Sequence, residues 1–565
     1  LNIHYLHLKE GFKLAFKKII RLSVITLCFS LLIGCNWGGA EKNSKKVEGE
    51  RNKEDSKVLH IATSGDIPTL DTTGSMDGLS QTIIQNLFEG LYRLDASDEP
   101  ANGMAKDFEV SEDGKEYTFY LQEDAKWSNG EPVTAADFVY AWKKALHPDT
   151  FSPHAYLMEP IKNAKGIQDP EDELYGEVDK LGVQAMDDYT LEVILDDTVP
   201  YFLEILTNPV LYPQNEEFVE LQEDKYALEP ENMIYNGPFS LKTWDHGAGW
   251  VMDENVEYWD KESGNVDRIE YKVVDDTSTM VNLYETDSID VASLSSEFVD
   301  VYEDDEEYNT SLQSEVYFLR FNQKSEYLSN VNIRKAIDMG WDKEGATKSI
   351  LKDGSLPADY LVPANIAKSP EEDDFRERFG DLNKGSIEKA QEHWKKGLEE
   401  LGEKEITLEL LSYDDGQRKP VSEHIKSQLE ENLSGLTITI NQQPNKQKIA
   451  LEGNQDYDIS YSGWRLDVND PIDWLSIFLS DGPYNWQDFE NKEFDQLIKK
   501  ARKDFSDIGQ RFSDMQEAER ILIDEEAAIS PMYQSSSARL IKPFVKEFVS
   551  HTNNTITYKW VSIEE

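Results

Sequence analysis

Between residues 406 and 463 the apolar pattern switches repeatedly between two periods. Ile406–Tyr413 reads as a strand. Val421, Ile425, Leu429 and Leu433 then recur every four residues, which predicts an amphipathic helix opening at Pro420. Leu436–Gln442 alternates as a strand, a short polar helix follows, and Tyr457–Gly463 is a third strand. Strand–helix–strand–helix–strand commits a chain to a mostly parallel sheet with right-handed crossovers. A related order occurs earlier, with Arg268–Val274 as strand, Thr277–Tyr284 as helix and Ile289–Ser293 as strand. Asp275 and Asp276 stand where that helix needs an N-cap. Glu315–Asn322, between the two units, is itself a strand candidate. The expected architecture is two α/β lobes joined by crossing strands.

Residues 89–211 follow a different pattern. Phe108–Val110 and Tyr117–Leu121 flank Asp113-Gly114, a hairpin signal. Thr134 with Asp137 three residues on is a capping box, and it opens a helix with apolar Phe138, Val139, Trp142 and Leu146. Gly182–Ala185 and Thr190–Leu195 form a second hairpin around Asp187-Asp188. This region is expected to be a mixed α+β insert.

Length and composition bound the rest. At about 100–200 residues per domain, 565 residues suggest three or four domains. With 39 % hydrophobic residues and 12 Trp, the chain has enough apolar material for a large core. A net charge of −53 argues against a nucleic-acid partner, because phosphates would be repelled. It is read first as adaptation to salt or high pH, with a preference for cationic ligands as the alternative. Two cysteines, Cys28 and Cys35, exclude a disulfide scaffold and a four-cysteine zinc site. The motifs Gly-x-Ser-x-Gly, His-Glu-x-x-His, Gly-x-x-x-x-Gly-Lys and Gly-x-Gly-x-x-Gly are all absent, so no enzyme activity, cofactor or metal is expected. Asp467-Val468-Asn469-Asp470 imitates the start of a calcium loop but has Ile472 where the turn glycine belongs.

The N-terminus reads as an export signal. Lys13, Lys17, Lys18 and Arg21 precede the apolar run Val24–Ile33, which is short for a membrane span. Leu32-Ile33-Gly34-Cys35 resembles the lipobox of bacterial lipoproteins, which implies cleavage before Cys35 and a diacylglycerol on its sulfur. Residues 36–57, rich in Lys, Glu, Asn and Ser, then form a disordered tether.

In open α/β sheets ligands bind beyond the carboxyl ends of strands. The strand Tyr457–Gly463 runs into Trp464-Arg465-Leu466-Asp467, where an aromatic wall and a negative charge stand together. Five further blocks stand in order along the chain: Leu87-Phe88-Glu89-Gly90-Leu91, Ala125-Lys126-Trp127-Ser128-Asn129-Gly130, Pro132–Phe138, Asn236-Gly237-Pro238-Phe239 and Val331–Ala336. By these blocks the chain, from about residue 58 to the end, resembles the oligopeptide-binding proteins of ABC importers, solute-binding protein family 5. The resemblance implies an α/β, two-lobed periplasmic-binding-protein-like fold with an extra α+β domain inserted in the first lobe. It divides the chain into signal 1–34, lipidated cysteine and tether 35–57, and lobe I first part 58–88. The insert is 89–211, lobe I resumes at 212–314, lobe II is 315–533, and 534–565 returns to lobe I.

By the same resemblance, Asp467 pairs with a peptide's α-ammonium group and Trp464 walls a side-chain pocket. Gly463 and Asn236, in matching motifs, are counted with the ligand-binding residues. Tyr461 stands where some members carry an arginine, and Arg418 is the cation placed to meet a peptide carboxylate. The implied partners are an oligopeptide, the permease of an ABC transporter and, through Cys35, the outer face of the cell membrane; the protein is expected to be a monomer. A pheromone receptor, or a binder of nickel complexes, haem or oligosaccharide, would share the fold, and an enzyme or adhesion lipoprotein is the reading from another class. Asp467 argues against the non-peptide ligands, which offer no ammonium.

Overall fold

The computed structural model describes residues 57–75, 77–261, 266–365, 374–382, 385–465, 468–505 and 507–564. The signal, Cys35 and the tether up to residue 56 lie outside the described residues, as do Leu466 and Asp467.

One sheet runs through both lobes. In chain order its main strands are β1 (Val58–Thr63), β2 (Phe239–Asp245), β3 (Gly249–Glu254), β4 (Arg268–Val273), β5 (Val291–Ser293), β6 (Tyr308–Phe321), β7 (Ile406–Tyr413), β8 (Leu436–Gln443), β9 (Ile459–Arg465) and β10 (Ile529–Ile541). Their spatial order is β8-β7-β9-β6-β10-β5-β1-β4-β3-β2, and a short strand, Leu356–Pro357, adds to β10. β1 runs parallel to both β4 and β5, and β7 runs parallel to both β8 and β9. Each lobe thus has the parallel core that the strand–helix alternation predicts.

The boundaries moved where tertiary contacts intervened. The helix expected from Pro420 starts at Arg418, because Asp415 accepts the N–H groups of Gln417 at 3.0 Å and Arg418 at 2.7 Å. β9 extends to Arg465 because it pairs antiparallel with β6 as far as Arg465↔Glu315. The strand expected at Glu315–Asn322 is the second half of a longer one, β6. It pairs with β10 from Tyr308↔Leu540 to Arg320↔Ile529, with register shifts between Leu312 and Val316 and between Tyr317 and Phe318. These two strands cross between the lobes.

The second half of β6 packs apolar side chains on both faces, with Arg320 its one buried charge, paired to Glu452. Tyr317, Leu319 and Phe321 join one cluster with Leu408, Ile425, Leu429 and Ile438. Phe318, one residue out of phase, joins the other with Trp474, Phe478 and Leu522. Period-two alternation sends successive side chains to opposite faces, so a stretch of strand covered on both sides is largely apolar.

The insert is a four-stranded antiparallel sheet ordered Ala105–Val110, Glu116–Leu121, Thr190–Ile194, Val183–Asp187. The capping box is present: the Thr134 N–H donates to Asp137 Oδ2 at 2.8 Å, opening helix Ala135–Leu146. Trp142 of that helix donates its Nε1–H to the Leu211 carbonyl at 2.7 Å. The insert's core is continuous with that of lobe I, since Phe119, Phe138 and Trp142 belong to one buried cluster with Leu59, Phe88 and Ile269.

Candidate functional site

A cavity of about 710 Å3 opens between the lobes. Lobe I supplies the carboxyl ends of β1 (Thr63, Ser64) and β5 (Ser293), and the segment that follows to Glu297. Lobe II supplies Leu351, Asp353, Gly416, Gln417 and Arg465, and Arg539 of β10 lies in the wall. The carboxyl-end rule holds in both lobes, because parallel strands leave their crossover loops on that edge. The volume lies within the roughly 300–1,000 Å3 typical of small-ligand pockets.

The end of β9 is tightly determined. Gly463 faces Tyr317 across the β6 pairing, and a Cβ at Gly463 would come within 2.8 Å of the Tyr317 ring. Trp464 donates its Nε1–H to Asp473 Oδ2 at 3.2 Å and packs edge-on against Tyr484 at 5.1 Å between ring centres. Arg465 reaches across the cleft, where its Nη1 lies 3.2 Å from the position a Cβ on Gly78 of lobe I would take. Beyond the undescribed pair Leu466-Asp467, three consecutive residues are anchored. Val468 is buried in the lobe I and insert cluster. The Asn469 N–H donates to Glu204 Oε1 of the insert at 2.5 Å. Asp470 takes both terminal nitrogens of Arg511 at 2.7 Å each. Burial, reinforced by the nearby Asp470, holds the Glu204 carboxyl well above the usual carboxylate range. Asp467, the residue expected to hold the ammonium group, lies outside the described residues.

The other expected site residues divide. Arg418 stands over Tyr317 and Tyr413, 5.1 and 4.6 Å from the ring centres, donates to Asp415 at 2.8 Å and to the Tyr317 hydroxyl at 2.5 Å. Burial opposes its charge, but Tyr317 and Asp415 outweigh it and raise its pKa. Its charge is already compensated, and its neighbours Gly416 and Gln417, not Arg418, line the cavity. Tyr461 needs correcting: it is fully buried, its hydroxyl shares a hydrogen bond with Tyr533, and its ring packs edge-on against Tyr317 and Tyr413. Asn236 needs correcting too. It is buried, its Oδ1 accepts the Glu89 N–H at 3.1 Å and its Nδ2 donates to the Glu89 carbonyl at 2.9 Å. Gly237 beside it must lack a Cβ, which would lie 2.6 Å from the backbone nitrogen of Phe88. The Asn236-Gly237 motif clamps two segments of lobe I. Asn236→Ala should therefore lower stability by about 1–3 kcal/mol through the orphaned Glu89 groups. Ligand affinity of the folded protein should stay within about twofold, a change of roughly 0.4 kcal/mol. Thermal unfolding and calorimetry on the same sample check both parts.

Sequence reasoning missed Thr63, Ser293, Ser295, Asp353, Arg465 and Arg539 as cavity residues. The carboxyl-end rule, applied to the strand ending at Ser293 as it was to the one ending at Gly463, would have found Ser293. Nothing local marks Arg539, which arrives from a strand 74 residues after Arg465.

Two α/β lobes that share crossing strands and wall a cavity between them define a solute-binding protein of the periplasmic-binding-protein kind. The chain belongs to the bacterial extracellular solute-binding proteins, family 5: residues 99–486 match the family's middle region. It is 34 % identical to the dipeptide-binding protein DppE of Bacillus subtilis over 533 residues, 94 % of this chain and 96 % of that one. It also resembles the substrate-binding domain of an oligopeptide ABC transporter from Bacillus anthracis, with 43 % identity, a TM-score of 0.80, and 90 % and 99 % of the two chains covered. Peptide-bound OppA of Listeria monocytogenes gives 37 % identity and a TM-score of 0.78, with 90 % and 99 % covered. The family is one of non-catalytic, extracytoplasmic binding proteins of transport systems.

Proposed function

We propose that this protein captures oligopeptides outside the membrane, held between its lobes, and delivers them to the permease of an ABC importer, anchored meanwhile by lipid on Cys35. The observation that carries this reading is the interlobe cavity at the carboxyl ends of β1 and β5, with Arg465 at the end of β9 in its lining. Two similar proteins point the same way: DppE of Bacillus subtilis is a dipeptide-binding protein, and OppA of Listeria monocytogenes is bound to peptide. A peptide fits such a site because its backbone offers hydrogen bonds independent of sequence, while its termini offer charges of both signs. Arg465 and Arg539 on one hand, Asp353 and Glu297 on the other, give the cavity both signs to meet them.

Capture requires the lobes to close, and the two crossing strands β6 and β10 are where few residues have to change conformation. Small-angle scattering, with saturation by a pool of di- to pentapeptides verified calorimetrically, should show a smaller radius of gyration than the stripped protein. A radius unchanged at verified saturation contradicts closure about these strands.

A further inference from the structure

Arg539 stands apart from the other buried cations of the chain. It is 9 % exposed, lies on β10 in the wall of the interlobe cavity, and has no carboxylate within 4 Å among the described residues. Arg320, Arg334, Arg376 and Arg511, which are buried more deeply, all have one. The side-chain partner of Arg539 is the Ser550 hydroxyl, to which Nη1 donates at 2.9 Å. Its other polar neighbours are the hydroxyls of Tyr271 and Tyr558, which share a hydrogen bond with one another. A guanidinium carries five donors, and a buried charge is costly unless paired. Burial accordingly lowers the pKa of Arg539, though an arginine keeps its proton throughout the physiological range. A second observation lies in the same wall: the Ser295 hydroxyl is buried, Ser295 lines the cavity, and the hydroxyl has no hydrogen-bond partner among the described residues. Ser293, which faces Arg539 in the β5–β10 pairing, lines it as well.

We propose that Arg539 and Ser295 form an anion-receiving subsite in the lobe I wall, and that the captured ligand places a carboxylate there. The planar fork of arginine suits a carboxylate in two-point contact, and a serine hydroxyl adds a neutral donor. Arg418, the cation that the sequence suggested for this purpose, is committed to Asp415 and Tyr317. The carboxylate could be the peptide's C-terminus or an acidic side chain. This inference rests on the peptide-binding reading above.

The test is calorimetry with four matched pools of di- to pentapeptides: free acid or C-terminal amide, each with a Glu or a Gln residue. Wild type is compared with Arg539→Gln and Arg539→Lys. Arg539→Gln should weaken binding of the carboxylate-bearing pools on the order of 30-fold or more and leave the neutral amide–Gln pool within a few-fold. A loss that follows the free-acid form assigns the subsite to the C-terminus; one that follows Glu assigns it to a side chain. Arg539→Lys keeps the charge but loses the fork, and should retain part of the preference for a carboxylate. It carries the test if Arg539→Gln does not fold, since a preference identical to wild type would then overturn the proposal. Equal losses across all four pools, or no loss in any, would also overturn it. A wild type that binds none of the pools contradicts the peptide-binding reading itself, whereas binding with equal losses contradicts the subsite alone.

Discussion

Asp467→Asn is expected to weaken the capture of peptides with a free amino terminus by roughly 30- to 3,000-fold. The figure follows from the about 2–5 kcal/mol that is lost when one partner of a buried, hydrogen-bonded charge pair is truncated. An exposed aspartate would change affinity far less, since surface pairs contribute about 0–1 kcal/mol. The described residues on either side of Asp467 are engaged: Arg465 by the β9–β6 pairing, and Val468, Asn469 and Asp470 each by a different neighbour. The loss should also depend on the ligand's amino terminus. An N-acetylated peptide should bind wild type weakly and lose little more on mutation. Calorimetry with both forms of one peptide completes the cycle, and equal losses for the two would remove Asp467 from the ammonium site.

Asp470→Asn should be the most destabilising change near the site. Arg511 is 3 % exposed, and its guanidinium gives two 2.7 Å bonds to Asp470 and one from Nε to the Ala501 carbonyl. Asp470 Oδ1 also accepts the Ile472 N–H, which opens the helix Ile472–Ser476. Removing the carboxylate charge leaves a buried cation uncompensated, a loss of about 3–5 kcal/mol. Chemical denaturation should register this in the transition of lobe II. Adding Arg511→Met should recover much of the loss, because removing both members of a buried pair is far milder than removing one. If the double variant is as unstable as the sum of the singles, the pair is not the cause. The folded single variant should also bind peptide more weakly, because Asp470 and its ion pair stand only three residues after Asp467 in the chain.

The parts of the fold legible in the sequence were those that local periodicity determines. Val421, Ile425 and Leu429 share a face of the helix Arg418–Asn432, and Leu433, expected to continue it, is the extended residue that ends it; all four are buried in one cluster with Leu408 of β7. Thr134 and Asp137 announced a helix start by a mechanism confined to four residues. What could not be read locally was set by pairing across the chain. β9 runs on to Arg465 because β6 lies beside it, and β6 starts seven residues before its apolar half because β10 continues alongside. The site divides in the same way. The segment after β9 was visible because an aromatic and an acid follow a strand directly. Tyr461 and Asn236 looked like ligand contacts because they stand in recognisable motifs, yet their polar groups face protein partners distant in sequence, Tyr533 and Glu89. Arg418 was chosen as the free cation for its position after a strand, and sequence did not reveal that Asp415 and Tyr317 already engage it. Arg539 was invisible for the converse reason: what distinguishes it is the lack of a carboxylate neighbour, which only the assembled structure displays.

The central claim is that peptides occupy the cavity between the lobes. Native mass spectrometry of the protein purified from its host without denaturation tests it most directly, because a ligand enclosed between closed lobes dissociates slowly enough to survive purification. The account predicts a ladder of bound masses that fragment as peptides and disappear on unfolding, and that are much reduced in Asp467→Asn. Protein repeatedly free of any small ligand, or carrying one that does not fragment as a peptide, would contradict it.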